Sequence, residues 1–241
     1  MKLNRIVLFA SAGLSLACAE DVDSAAIRTE GMYAIYEAVA DGSGETAIST
    51  QLRVGGDNGT FVELTAEDEL TASTDNDSTV LSHRGTGNRH YYDGTIEGDE
   101  GGLEIQIALA RGEDNDDALD SLGSLPEPFE ADLEDPESDE IERGSDVFVV
   151  WDNSASGQMK WSLEGDCVQA ASGSTNDDGS LTIASEEIEV WEADKGESCE
   201  VSVTLDRVDT GVTDPNFEEG GEYRAIQRRK LRFTSLPGAD E

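Results

Sequence analysis

Cys199-Glu200-Val201-Ser202-Val203-Thr204-Leu205-Asp206-Arg207 is the stretch whose reading decides the fold. Cys199, Val201, Val203 and Leu205 share one parity; Glu200, Ser202, Thr204 and Asp206 share the other. A period of two with one apolar side is the pattern of a half-buried β-strand. Leu103-Glu104-Ile105-Gln106-Ile107-Ala108-Leu109-Ala110-Arg111 repeats it. Leu103 stands where Cys199 stands, Ile105 where Val201, Ile107 where Val203, Leu109 where Leu205 and Arg111 where Arg207. The two runs lie 96 residues apart, and Ser124-Leu125-Pro126 matches Ser235-Leu236-Pro237 at an offset of 111. Any two half-buried strands look alike, so it is the shared order of two matches that suggests a duplicated sandwich. The period is too long for a solenoid or a propeller.

Outward from these strands the chain reads as a meander of short strands with turn residues every eight to twelve positions. Met32–Val39, Ala47–Val54, Thr60–Leu64, Glu69–Ser73, Thr79–His83, His90–Ile96 and Leu103–Arg111 make a first set. Asp114–Glu142 reads as a boundary, because it holds three of the five prolines and two acidic runs. Phe129–Leu133, Asp146–Trp151, Met159–Leu163, Cys167–Ala171, Leu181–Trp191, Cys199–Arg207 and Glu222–Thr234 make a second set. This is the sequence pattern of β-sandwiches. The expected fold is all-β, two antiparallel sandwiches of immunoglobulin-like or fibronectin type in tandem. Their expected bounds are 30–125 and 126–237, with a C-terminal tail at 238–241.

The 241 residues include 54 acidic and 16 basic side chains, a formal charge of −38. Nucleic acid and anionic membrane surfaces would be repelled. Cations, basic proteins or neutral glycans are the compatible partners. Most of this charge reads as a hydrated surface. It interleaves with apolar residues at strand spacing, so a core can still form.

Residues 1–17 begin with Lys2 and Arg5 and continue as an apolar run, the pattern of a secretory signal peptide. The run is too short for an ordinary membrane span. It ends Leu14-Ser15-Leu16-Ala17-Cys18, which resembles a bacterial lipoprotein signal. The resemblance implies a diacylated Cys18 and a tether over 18–29. Ser15 stands where that signal usually carries Leu, and cleavage at Ala17-Cys18-Ala19 is the alternative. Either way, Cys167 and Cys199 remain as an even pair in an oxidising compartment, which predicts a disulfide.

Candidate sites are sparse. His83 and His90, seven residues apart, face no obvious common partner along the chain, and no local catalytic motif is present. Two turns partly match a calcium loop: Ser174-Thr175-Asn176-Asp177-Asp178-Gly179 and Asp152-Asn153-Ser154-Ala155-Ser156-Gly157. Both lack the bidentate Glu at the twelfth position, so ordinary hairpin turns explain them. Asp114, Asp116 and Asp117 at the boundary are weak candidates for a calcium ion held between sandwiches. No other cofactor is expected. The last strand carries Arg224, Arg228, Arg229, Lys230 and Arg232, either a docking stripe or a wet face paired with an acidic neighbour. Ile226 breaks its parity and predicts a bulge near Arg228.

The Cys18 signal, the Cys167–Cys199 pair and the segments Cys199–Arg207, Asp214-Pro215 and Ala225–Pro237 together resemble the uncharacterised acidic predicted lipoproteins of Gram-negative bacteria. That resemblance implies an exported protein held by lipid at the outer membrane or cell surface, or else periplasmic or secreted. The expected function is non-catalytic binding or display toward a protein or glycan. Calcium-dependent adhesion and a secreted hydrolase are the alternatives.

Overall fold

A computed structural model describes residues 21–238, except 66, 86–88, 113–114, 135–139, 153–154, 190 and 192–195. The leader and Cys18 lie outside the described residues, as does Asp114. The described chain is nearly all β, with three short 3-10 turns and no α-helix.

The strands are β1 (Val22–Asp23), β2 (Tyr33–Ala40), β3 (Glu45–Val54), β4 (Thr60–Glu63), β5 (Glu69–Ser73), β6 (Ser78–Val80), β7 (Ser82–Gly85), β8 (His90–Glu97) and β9 (Glu104–Ala110). They continue as β10 (Ala118–Ser124), β11 (Ala131–Leu133), β12 (Glu140–Glu142), β13 (Val147–Trp151), β14 (Gln158–Gly165), β15 (Val168–Asn176), β16 (Ser180–Ile183), β17 (Cys199–Thr210) and β18 (Gly221–Leu236). One large sheet has the order β1-β4-β3-β2-β18-β17-β14-β15, with β8 beside β3, β7 beside β8 and β12 beside β18. A second sheet is β10-β9-β5-β6, and a third is β11-β13-β16.

Two apolar clusters fill the layers. The first joins Ala34, Tyr36 and Ala38 of β2 and Ile48 and Leu52 of β3 to Ile105, Ile107 and Leu109 of β9. The second joins Val201, Val203 and Leu205 of β17 and Met159, Trp161 and Leu163 of β14 to Val147 and Val149 of β13. Each fully buried aliphatic side chain contributes roughly 1.5–3 kcal/mol. Phe217, Tyr223 and Ala225 lie in the first cluster although they come late in the chain, and Phe233 of the same β18 lies in the second. One strand therefore serves both cores.

The bulge expected near Arg228 is absent. β17 and β18 stay in antiparallel register from Cys199↔Ser235 to Thr210↔Arg224. Ile226 breaks parity for another reason: it is buried on the face opposite Ala225, in register with Val39 of β2 and Val208 of β17.

Arg111 and Arg207, matched in sequence, have matching roles. Arg111 Nε lies 3.1 Å from Asp68 Oδ1, with side chains 0% and 3% exposed. Arg207 Nε lies 2.6 Å from Asp177 Oδ2, also buried. Arg111 also donates to the carbonyls of Ser24 and Ile27, just before β2. Arg207 donates to the carbonyl of Glu127, just before β11. Each arginine fixes the segment that enters its layer.

Cys167 and Cys199 are bonded, with Cα atoms 6.0 Å apart. The bond does not cross between sheets as an immunoglobulin bridge does. It ties the β14–β15 turn to the start of β17, the neighbour of β14 in the same sheet. That is why 32 residues suffice between the cysteines. Replacing both with serine should lower stability by about 3–4 kcal/mol, from the entropy of the closed loop. Urea unfolding checks this. A loss below about 1 kcal/mol would show that the loop is already restrained without the bond.

Candidate functional site

Among the described residues, Glu63, His83 and His90 come together where β4, β7 and β8 meet. β7 and β8 form a hairpin with Gly85 opposite His90 and His83 opposite Tyr92. Antiparallel pairing puts His83, His90 and Tyr92 on one face. The expectation that the histidines share no partner is corrected: His83 Nε2 and His90 Nδ1 are 2.9 Å apart. Their rings are nearly parallel with centroids 5.1 Å apart, and the Tyr92 ring lies 5.3 Å from that of His83.

β3 carries both neighbours on one edge. Glu45–Thr50 pair with β8, and Arg53 and Val54 pair with β4. The end of β4 therefore arrives beside the start of β8. The Leu64 N–H donates to the Tyr92 hydroxyl at 2.7 Å, which pins that end in place. Burial pushes the Tyr92 phenol above its ordinary value, so it stays protonated. Glu63 consequently reaches the histidines: one ligand atom each from Glu63, His83 and His90 lie within 4.8 Å of one another.

β1 runs parallel to β4, with Asp23 in register with Glu63. This places Asp21 against the hairpin, its Oδ2 3.0 Å from His90 Nε2. The contact has ion-pair distance without hydrogen-bond alignment, and His90 Nε2 and Asp21 Oδ1 are both buried without a hydrogen-bond partner among the described residues. Among the described residues, the groups shown beside these rings are a second imidazole, two carboxylates and a phenol.

Of the other sequence candidates, Asp177, Asp152 and Asp117 make structural contacts. Asp177, from the first calcium-like turn, accepts from Trp151 Nε1 and from two nitrogens of Arg207. Asp152, from the second, accepts from the Glu130 N–H through Oδ1. Asp117 Oδ1 accepts from the Arg111 N–H. Asp116 lines a cleft with Glu30, Asn216 and Glu218.

The arginines of β18 face acidic neighbours. Arg224 pairs with Glu37, Arg232 with Glu200, and Arg228 holds Asp206 through two 2.7 Å hydrogen bonds. Those two hydrogen bonds hold the Arg228 guanidinium pKa above its ordinary value, against the effect of burial. Arg229 lies over the Phe129 ring at 5.3 Å. Three of the five basic residues of the stripe are thus paired with carboxylates.

No protein family and no curated protein matches the chain. Solved structures match weakly. The FN1-FN3 domains of chicken CNTN1 align at 8% identity, covering 83% of this chain and 66% of that one, with a TM-score of 0.28. Trypsin-activated alpha-2-macroglobulin from Escherichia coli aligns at 12%, covering 90% and 17%, with a TM-score of 0.27. The Yersinia pseudotuberculosis adhesin InvE aligns at 12%, covering 83% and 59%, with a TM-score of 0.21. The chain spans no more than about two thirds of any of these. At such scores the all-β class rests on the strands themselves.

In the second core, Asp177 has a measurable signature. Burial raises its pKa, but the hydrogen bonds from Arg207 and Trp151 and the Arg207 charge outweigh burial and hold it below the ordinary carboxylate value. Its contribution is therefore complete above about pH 4 and disappears as pH falls through the depressed value. Asp177→Asn should lose roughly 3 kcal/mol at neutral pH, because the buried Arg207 loses the carboxylate that accepts two of its hydrogen bonds. The gap to the parent should begin to close near pH 4 in parallel denaturant titrations. A gap independent of pH would mean that Asp177 does not stabilise as a carboxylate.

Proposed function

We propose that the chain is an exported, non-catalytic lipoprotein of the cell envelope or surface, acting as a binding or display module toward a protein or glycan. The observation that carries this reading is the β17–β18 ladder, which joins both cores by unbroken backbone pairing. Such a body presents its surface in one fixed arrangement. The Cys167–Cys199 bond supports export, because disulfides persist in oxidising compartments. No helix among the described residues is long and apolar enough to cross a membrane. Attachment in this reading is through lipid on Cys18.

The charge of −38 narrows the partner. Polyanions are repelled, while neutral glycans and basic protein surfaces are not. The paired arginines of β18 serve the sheet, and the partner surface lies elsewhere on the acidic exterior.

Intact-mass measurement of the native protein from its own membrane fraction tests the reading. A chain that begins at a diacylated Cys18, and gains two hydrogens on reduction, is the expected result. A soluble chain that begins at Glu20 would overturn the anchor and favour a secreted protein. Melting in calcium against equal magnesium tests the adhesion alternative. Equal shifts are expected, and a gain specific to calcium would favour that alternative.

A further inference from the structure

We propose that Glu63, His83 and His90 bind one first-row divalent cation, with zinc as the reference ion, at the point where the N-terminal segment enters the fold. Two neutral imidazoles and one carboxylate form a borderline nitrogen and oxygen set. Such sets suit zinc, nickel or copper, whereas calcium and magnesium take oxygen ligands. The ligand atoms already lie within 4.8 Å of one another. Zn–N bonds of about 2.0–2.1 Å at tetrahedral angles put two ligating nitrogens roughly 3.3 Å apart. His83 Nε2 and His90 Nδ1 are 2.9 Å apart, so they need open by only a few tenths of an ångström, with a turn of the rings.

The proton balance closes. One of the two facing nitrogens carries the hydrogen of the present contact. When both ligate, that hydrogen moves to a far ring nitrogen, and no net proton is lost. For His90 the far nitrogen is Nε2, 3.0 Å from Asp21 Oδ2. A metal-bound histidine that offers its other N–H to a carboxylate is the usual outer arrangement around such ions. It would give the buried His90 Nε2 and the Asp21 carboxylate, now unaligned, a defined relation. Asp21 and the two strands β1 and β4 would then be fastened to the β7–β8 hairpin. Glu63 and His83 are exposed, so the ion has access from solvent. Three protein ligands leave one position for water.

A chain this acidic collects cations loosely, so the test must separate one built site from diffuse binding. Full-length protein stripped with chelator is titrated with zinc by calorimetry, in physiological salt with excess magnesium. One tight site per chain is expected. His83→Ala and Glu63→Gln, both at exposed positions, should each weaken it at least tenfold while leaving the metal-free melting temperature near that of the parent. Asp21→Asn should weaken it by roughly 10-fold, as an outer partner does. Hydrogen exchange should show zinc-dependent protection of the backbone near residues 21–23 and 62–64 in the parent, and none in His83→Ala. Absence of a tight site overturns the proposal. So does a site of unchanged affinity in both His83→Ala and Glu63→Gln, or binding that excess magnesium abolishes. The outcome is independent of whether Cys18 carries lipid.

Discussion

A sixteen-residue strand running through two cores must have its buried backbone groups paired. An unpaired N–H or C=O buried there would cost about as much as a lost hydrogen bond. Among the described residues, β18 is paired along most of one edge and part of the other. β17 covers one edge from Thr210 back to Cys199. β2 covers the first half of the other edge in parallel, and β12 covers its end. The rest of the topology follows. β2 brings β3, and β3 brings β4 and β8. β17 brings β14 and β15. Even the histidine pair depends on this ladder, because β3 can gather β4 and β8 on one edge only while β2 holds the other.

The seam between the cores shows how one sheet carries two interiors. Arg207 and Gln227 are paired in register, and both are buried. Gln227 donates to the carbonyl of Asp99 in the first layer, whereas Arg207 donates to that of Glu127 at the entry to the second. An apolar seam would let the layers slide. Buried polar groups with fixed partners penalise every other register, because a shift by one residue would strand a charge.

The sequence reading was best where a strand has one wet face. β2, β9 and β17 alternate cleanly, and their pattern located them to within a few residues. β10 was hidden because its pattern is inverted: Ala118, Ser121 and Gly123 face inward, while Leu119 and Leu122 are exposed. At Gly123 the reason is Tyr223, whose ring fills the space where a side chain would sit, at 2.5 Å from an added Cβ. β12 read as an acidic loop because its three residues have no strand signal of their own; an open edge of β18 recruits them. The alternation over Leu181–Trp191 predicts a longer strand than the one that forms, which ends at Ile183 before a 3-10 turn. The cysteine pair was legible because only two candidates existed. The histidine site was not. Spacing along the chain does not reveal the register of a hairpin, and Glu63 and Asp21 reach it from strands distant in sequence.

Charge placement completes the account. With 54 acidic and 16 basic residues, every cation has many possible partners, so position rather than availability decides what each one contributes. Arg232 and Glu200 are mostly exposed, at 62% and 66%, and such a pair contributes little and weakens in salt. Arg111 with Asp68 and Arg207 with Asp177 are buried, where salt screens them far less. Salt also relieves the repulsion among the surface carboxylates. The same ions therefore weaken only the cheap surface pairs, reduce the main destabilising charge, and leave the two clamps that set the layers intact. This chain tolerates an extreme surface charge because the few cations that define its fold are the ones removed from solvent.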